Sequence, residues 1–321
     1  MTYWLLLHFG IAVAGAWMAR HYALRGNLMD HPGERRSHTV ATPRGGGIAI
    51  VAALLCAGGW LLWNGPDQGQ GTLLPAFLVG LVLVAGIGWW DDHRPLSPAS
   101  RLVVQAVAAG LLAMAAGRDS GDPLAAMIAF AAALVLVNVW NFMDGINGLA
   151  ASQAAIAACG FAFSLQGDWA WLAAGLLAAC LGFLPFNFPR ARIFLGDVGS
   201  GALGFSLAAL LAAGWTRSTA PWPLLCLPLC AFLVDAGFTL LRRMLIGERW
   251  WTPHVTHLYQ SAARRFGHTA VTVIYAAFGG VTLLLTYLLS QEDARTALAA
   301  TVCVYMGASA MWGILRRRVR G

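Results

Sequence analysis

Along its whole length the chain alternates apolar runs with short polar segments. A helix crossing ~30 Å of hydrocarbon needs about 20 apolar residues. On that basis eleven spans are expected, roughly at 3–23, 45–63, 72–90, 101–117, 123–139, 149–166, 169–186, 200–214, 222–241, 269–290 and 296–314. The run at 200–214 is short, and 123–139 is open to tilting or a break, so 10–11 spans are counted. Thr2 to Ala19 runs straight into Arg20-His21 without a cleavage site, which reads as a retained first helix rather than a signal peptide. No period of 20–50 residues repeats, so no repeat architecture is expected. The pattern predicts an all-α, polytopic integral membrane protein built as a single domain, 1–321. Its polar segments fall at about 24–44, 91–100, 140–148, 187–199 and 242–268.

Composition agrees with that pattern. Hydrophobic residues make up 59% and charged ones 11%, with a mean hydropathy of +0.65. A soluble domain lies nearer 45–50% apolar and 25% charged. All basic side chains except histidine are arginine, and the net charge is +7. These arginines lie between spans, which argues for membrane orientation rather than nucleic-acid binding. With the N-terminus outside, 18 arginines fall on inner segments, and only Arg118, Arg217 and Arg295 on outer ones. The expected orientation is a periplasmic N-terminus and a cytoplasmic C-terminus, with the working face cytoplasmic. The six cysteines lie in apolar runs without a C-x-x-C pair and read as ordinary core residues.

Five segments on that inner face carry candidate chemistry. The first contains His38, Arg44 and the glycines Gly45-Gly46-Gly47 opening a span. Glycines let a backbone approach a ligand, and helix-start N–H groups favour anions; close helix packing is the alternative use. The second is Asp91-Asp92-His93-Arg94, with Arg101 opening the next span. Adjacent carboxylates beside cations suit a metal-dependent phosphate site, though Arg101 alone would serve as a headgroup anchor. In the third, Asn138, Asn141 and Asp144 recur every three residues before Gly145, Asn147 and Gly148. On a helix these polar groups share a face at the membrane edge, a pocket suited to a nucleobase, ribose or metal. The fourth, Gly196-Asp197-Val198-Gly199-Ser200-Gly201, sets one carboxylate among glycines, either as a site residue or as a simple N-cap. The fifth runs from Arg242 to Arg265 and holds His254 and His257, read as binding phosphate or moving protons rather than holding zinc. Asp235 lies within the ninth span, as a functional acid or as a helix-to-helix hydrogen-bond partner.

In this order, Pro43–Gly47, Asp91-Asp92, Asn138–Leu149, Gly196–Ser200 and His254/His257 resemble the polyprenyl-phosphate N-acetylhexosamine-1-phosphate transferases. The wording of the first loop and of 253–260 looks closest to the O-antigen initiating branch. The resemblance implies transfer of a sugar 1-phosphate from a UDP-N-acetylhexosamine (GlcNAc, FucNAc or QuiNAc type) to undecaprenyl phosphate. UMP is released, and Mg²⁺ is required, with Mn²⁺ a substitute. It places the enzyme in a bacterial inner membrane, and a homodimer is compatible with it. By position, Asp197 would be a metal ligand with Asn141 second, while Asp91 and Asp92 would position or deprotonate the lipid phosphate. Asp144 and Asn147 would line the nucleotide pocket, and Arg101, His254 and His257 would neutralise phosphates. Two departures stand out: Asn147 replaces an Asp found in many bacterial members, and Arg101 replaces a frequent lysine. The chemistry fits, since a phosphate monoester with a second pKa near ~6 is largely ionised at neutral pH. The barrier is then chiefly the approach of two anions, which favours Asp91 as a positioning group over a general base. A transporter of a phosphorylated substrate is the rival reading, but transporters gather polar groups near the bilayer midplane.

Overall fold

A computed structural model describes residues 1–31, 33, 40–65, 71–248 and 254–320. Among these the chain forms twelve α-helices and one two-stranded ribbon. The helices are α1 (Thr2–Arg25), α2 (Ile48–Asn64), α3 (Leu73–His93), α4 (Pro98–Ser120), α5 (Pro123–Phe142) and α6 (Leu149–Ser164), followed by α7 (Gly167–Asn187), α8 (Gly196–Arg217), α9 (Cys230–Leu245), α10 (Leu258–Phe266), α11 (His268–Leu288) and α12 (Ala294–Arg320). Nine elements are long and apolar enough to cross a membrane, the ninth-span one being a 3₁₀ stretch, Trp222–Leu229, continued by α9. Two shorter apolar helices, α2 and α6, occupy the remaining expected positions. Pro223 and Pro228 lack the N–H groups an α-helix would use, which fits the tighter entry to that span.

Several boundaries differ from the expectation. The run at 123–139 is not broken; α5 continues to Phe142. The short run at 200–214 becomes the 22-residue α8, because the glycine-rich string from Gly196 is its first turns and not a loop. Small residues are what this helix needs, since nearly all of it is buried among α2, α3, α5, α6 and α7. Helices in lipid gain little from hydrophobic exclusion and associate through close packing at small residues. A Cβ on Gly204 would lie 2.3 Å from the Leu136 carbonyl oxygen of α5, and one on Gly88 of α3 would lie 2.4 Å from that of Asp197. The segment 242–268, expected as one long loop, contains the last turn of α9 and all of α10.

Polar side chains finish the helices at the end away from the five motifs. Asp119 at the end of α4 accepts from the Thr72 and Leu73 amides and caps α3, while Asp122 accepts from the Leu124 amide and caps α5. At the motif-bearing end, β1 (Met29–Asp30) pairs antiparallel with β2 (Thr42–Pro43), which brings Asp30 and Arg44 beside the start of α8.

Candidate active site

The N-terminus of the enclosed helix α8 is the point on which the polar end converges. Asp92, in the last turn of α3 and 1% exposed, accepts from the Asp197 amide with Oδ1 and from the Val198 amide with Oδ2, both at 3.1 Å. These are two of the N–H groups that a helix start leaves without partners. Asp92 is therefore the cap of α8, and Arg44 steadies it by donating to its backbone carbonyl. The neighbouring Asp91 points elsewhere: Oδ1 accepts from the Leu96 amide at 2.6 Å and Oδ2 from Arg101 at 2.9 Å.

Arg101 Nη1 also reaches Asp197 Oδ2 at 3.1 Å, so one guanidinium joins Asp91 to Asp197. The other Asp197 oxygen accepts from Asn141 Nδ2 at 2.6 Å, and the same amide group donates to Ser200 Oγ at 3.1 Å. Asn141 is thus a partner of the carboxylate here. Acting as a second metal ligand would require its amide to turn and present Oδ1. One turn earlier, Asn138 donates to Gln105 Oε1 at 3.0 Å and to the Leu134 carbonyl at 2.8 Å.

Asp92, Arg101, Asn138, Asn141 and Asp197, though not Asp91, line a cavity of about 1170 Å³. Its polar part holds the carboxylates of Asp30, Asp92, Asp144 and Asp197, the guanidiniums of Arg44 and Arg101, the amides of Asn138 and Asn141, and the rings of His254 and His257. Its apolar part descends between α3, α4, α5 and α9 along Val84, Leu102, Val135, Leu240, Leu241 and Met244. Leu102 is 51% exposed and Leu241 49%, so this trough opens sideways toward the surface that faces lipid.

The electrostatic balance favours a cation. Among the described residues, four lining carboxyl groups face two lining guanidiniums. Burial, with Asp197, Asp92 and Asp30 nearby, pushes the Asp144 carboxyl well above the usual range. Burial likewise pushes His254 down to about 4, with His257, Arg243 and Arg316 adding to the effect. It lowers His257 too, against the opposing pull of Asp235. The histidines are therefore neutral at pH 7 and offer hydrogen bonds or proton uptake in place of standing positive charge. They stack at 4.8 Å between ring centroids. Among the described residues no three His, Cys, Asp or Glu side chains could hold a metal by themselves. Mg²⁺ does not require that, since it keeps waters and takes one or two carboxylates plus substrate phosphate oxygens. Asp197, its side chain 32% exposed and lining the cavity, fits that role.

Of the expected site residues, Asp91, Gly46 and Asn147 do not line this cavity; Asp91 is held instead by Arg101 and the Leu96 amide. Gly46 does not line it: its amide donates to the Phe194 carbonyl at 2.9 Å, and a Cβ there would lie 2.8 Å from the Phe183 ring. Its glycine serves close packing. Asn147 turns away and donates to the Pro189 carbonyl at 3.1 Å, tying its loop to the α7–α8 connection. His38 and Pro253 lie outside the described residues. Gly145 does line the cavity, and a Cβ there would lie 2.2 Å from Tyr259 Oη.

Other contributors were not among the expected site residues. Gln105 and Asn187 are single polar residues in apolar runs. Asn187 accepts from the Gly148 amide at 2.7 Å and donates to the Ile193 carbonyl at 2.9 Å, stapling two motif loops together. Tyr259 donates to the Phe142 carbonyl at 2.9 Å and closes the cavity over Gly145. Arg243, buried beside Glu248 at 2.7 Å, adds positive charge near the histidines.

Comparison of the sequence with known proteins finds relatives of this chain. The sequence model of glycosyl transferase family 4 matches residues 74–214, which include Asp91, Asp92, Asn138–Asn147 and Asp197. The chain is 30% identical to a decaprenyl-phosphate N-acetylglucosaminephosphotransferase of Mycobacterium tuberculosis, over 93% of this chain and 85% of that protein. It is 27% identical to an undecaprenyl-phosphate alpha-N-acetylglucosaminyl 1-phosphate transferase of Salmonella typhi, over 84% and 80%. A probable undecaprenyl-phosphate N-acetylglucosaminyl 1-phosphate transferase of Bacillus subtilis is 27% identical, over 75% and 71%.

Proposed function

The chain belongs to the polyprenyl-phosphate N-acetylhexosamine-1-phosphate transferases, within glycosyl transferase family 4, and on that footing we propose that it transfers a HexNAc 1-phosphate from a UDP-N-acetylhexosamine to undecaprenyl phosphate. In the reaction an oxygen of the lipid phosphate attacks the sugar-bearing phosphorus of the donor. A new P–O bond forms, the bridging P–O bond breaks, and UMP leaves with its electron pair. The observation that carries the reading is the two-part cavity. Its polar end suits a diphosphate and nucleoside, and its apolar trough opens toward lipid, where a polyprenyl chain would lie.

Each residue's part follows from its contacts. Arg101, already joining Asp91 and Asp197, would steer the two phosphates together, and Arg44 would add charge at the same rim. His254 and His257, neutral in the free protein, would take up protons as phosphate anions enter and raise their basicity. Asp91 would orient the acceptor through Arg101; the acceptor's own ionisation makes a strong base unnecessary. Mg²⁺, with Mn²⁺ as substitute, would be held by Asp197 together with substrate phosphate oxygens. It would screen the charge that develops between the two anions.

The arginine distribution supports a periplasmic N-terminus, a cytoplasmic C-terminus and a site at the cytoplasmic face of a bacterial inner membrane. The proposed role is the first lipid-linked step of an O-antigen-type envelope polysaccharide. The test uses purified protein, undecaprenyl phosphate and a panel of UDP-HexNAc donors, with UMP release measured with Mg²⁺ and after EDTA. Release from one donor that stops with EDTA and returns with Mg²⁺ is expected. No release from any donor in the presence of Mg²⁺ would refute the proposal.

A further inference from the structure

Asp235 takes no part in the reaction above, yet its carboxylate is saturated. It is 1% exposed within α9. Oδ1 accepts from the Leu258 amide at 2.8 Å, Trp312 Nε1 at 3.1 Å and Thr239 Oγ1 at 3.3 Å. Oδ2 accepts from the Tyr259 amide at 3.0 Å and Tyr275 Oη at 2.9 Å. One buried group thus gathers donors from α9, α10, α11 and α12.

The two amides are the first of α10, donors that a helix start otherwise leaves without partners, and a negative charge there also meets the positive end of the helix dipole. The residue just before them is His257, which stacks on His254 at the cavity wall. The residue bearing the second amide is Tyr259, whose hydroxyl holds the Phe142 carbonyl against the Gly145 turn. Contacts on both sides of the cavity therefore hang from this carboxylate. Five donors converge on it, and an amide in its place would turn an NH₂ toward some of them.

We propose that Asp235 is a positioning residue for the transfer: it fixes His254 and His257 at the cavity by clamping the first turn of α10 onto α9, α11 and α12. The proposal rests on the transferase reading of the cavity. Acting through the histidines has a signature that general structural support lacks, because residues working as one unit give non-additive losses.

The experiment compares full-length wild type, Asp235→Asn, Tyr275→Phe, His254→Ala and the Asp235→Asn/His254→Ala pair, each for UMP release and for amide hydrogen exchange over 254–266. Asp235→Asn should lower kcat more than tenfold in the wild-type background and by a several-fold smaller factor in the His254→Ala background, where only His257 is left to misplace. Tyr275→Phe, which removes one donor and leaves the charge, should cost a few-fold in kcat and carries the test if Asp235→Asn does not fold. Exchange at 258–260 should quicken in both variants. Losses that simply multiply, or unchanged exchange at 258–260 in the folded variants, would overturn the clamp. If wild type releases no UMP from any donor, the transferase reading fails. The exchange arm then judges the clamp by itself.

Discussion

Replacing Asp92 separates a helix cap from a catalytic group. Its two oxygens each accept one α8 amide at 3.1 Å with almost no exposure to solvent. A hydrogen bond to a charged group is worth roughly 1.5–3 kcal/mol. Asp92→Asn keeps one acceptor and turns an NH₂ against the other amide, so it should cost about 2 kcal/mol. Asp92→Ala loses both contacts and leaves two buried N–H groups unsatisfied, so it should cost about 4 kcal/mol. The assay is thermal unfolding in detergent, followed by thiol labelling of Cys180 and Cys230, which are buried in the folded protein. A stepwise fall in melting temperature, Asn then Ala, is expected, with activity falling alongside because α8 carries Asp197 in its first turn. Activity lost at an unchanged melting temperature would refute the reasoning and return Asp92 to direct work on substrate.

Three further outcomes follow from the same geometry. The unfolded chain takes up protons on His254 and His257 near pH 6.5, while the folded one resists until about 4 at His254. Stability should therefore be complete above pH 6.5 and fall as pH drops toward 4, and His254→Gln should flatten that fall in a melting series. Asp144 has the opposite sign: its raised carboxyl pKa costs stability as pH rises. Asp144→Asn should melt higher than wild type at pH 8 while raising the KM for the UDP-sugar, a trade of stability against function. Gly145→Ala drives a Cβ to 2.2 Å from Tyr259 Oη and should lower kcat at least tenfold. Adding Tyr259→Phe removes the clashing oxygen and should recover part of that loss in the same assay.

Hydropathy revealed the spans because bilayer thickness imposes a length that few other structures need. The same logic misplaced the start of α8. Glycine is a poor helix former in isolation, so Gly196–Gly199 reads as loop ahead of a span beginning at 200, yet the surrounding helices demand small residues there. The adjacent aspartates stood out as polar, but their division of labour did not. Consecutive helical residues point about 100° apart, so Asp91 meets Arg101 while Asp92 meets α8. Asn138 and Asn141 were legible because their spacing matches a helix turn; Asp144 lies two residues past the end of α5, and the loop rather than the helix face brings it to the same cavity. Gly46 and Asn147 were read for chemistry because their strings carry it, whereas their own contacts are with backbone carbonyls. Gln105 and Asn187 have no local pattern; only the folded chain brings them to the motifs.

The enclosure of α8 also governs how the protein responds to its bilayer. Peripheral helices meet lipid and adjust by tilting or kinking, or deform the bilayer, when hydrocarbon thickness changes, whereas α8 touches other helices on nearly every side. It stands like a post set in a collar, with Asp197 at its top. A thicker or thinner membrane bears on the collar, while the post keeps its height relative to Asp92, Arg101 and Asn141. Chain-length changes in the host lipid should then alter how readily the acceptor enters the trough and leave the arrangement of reacting groups as it is.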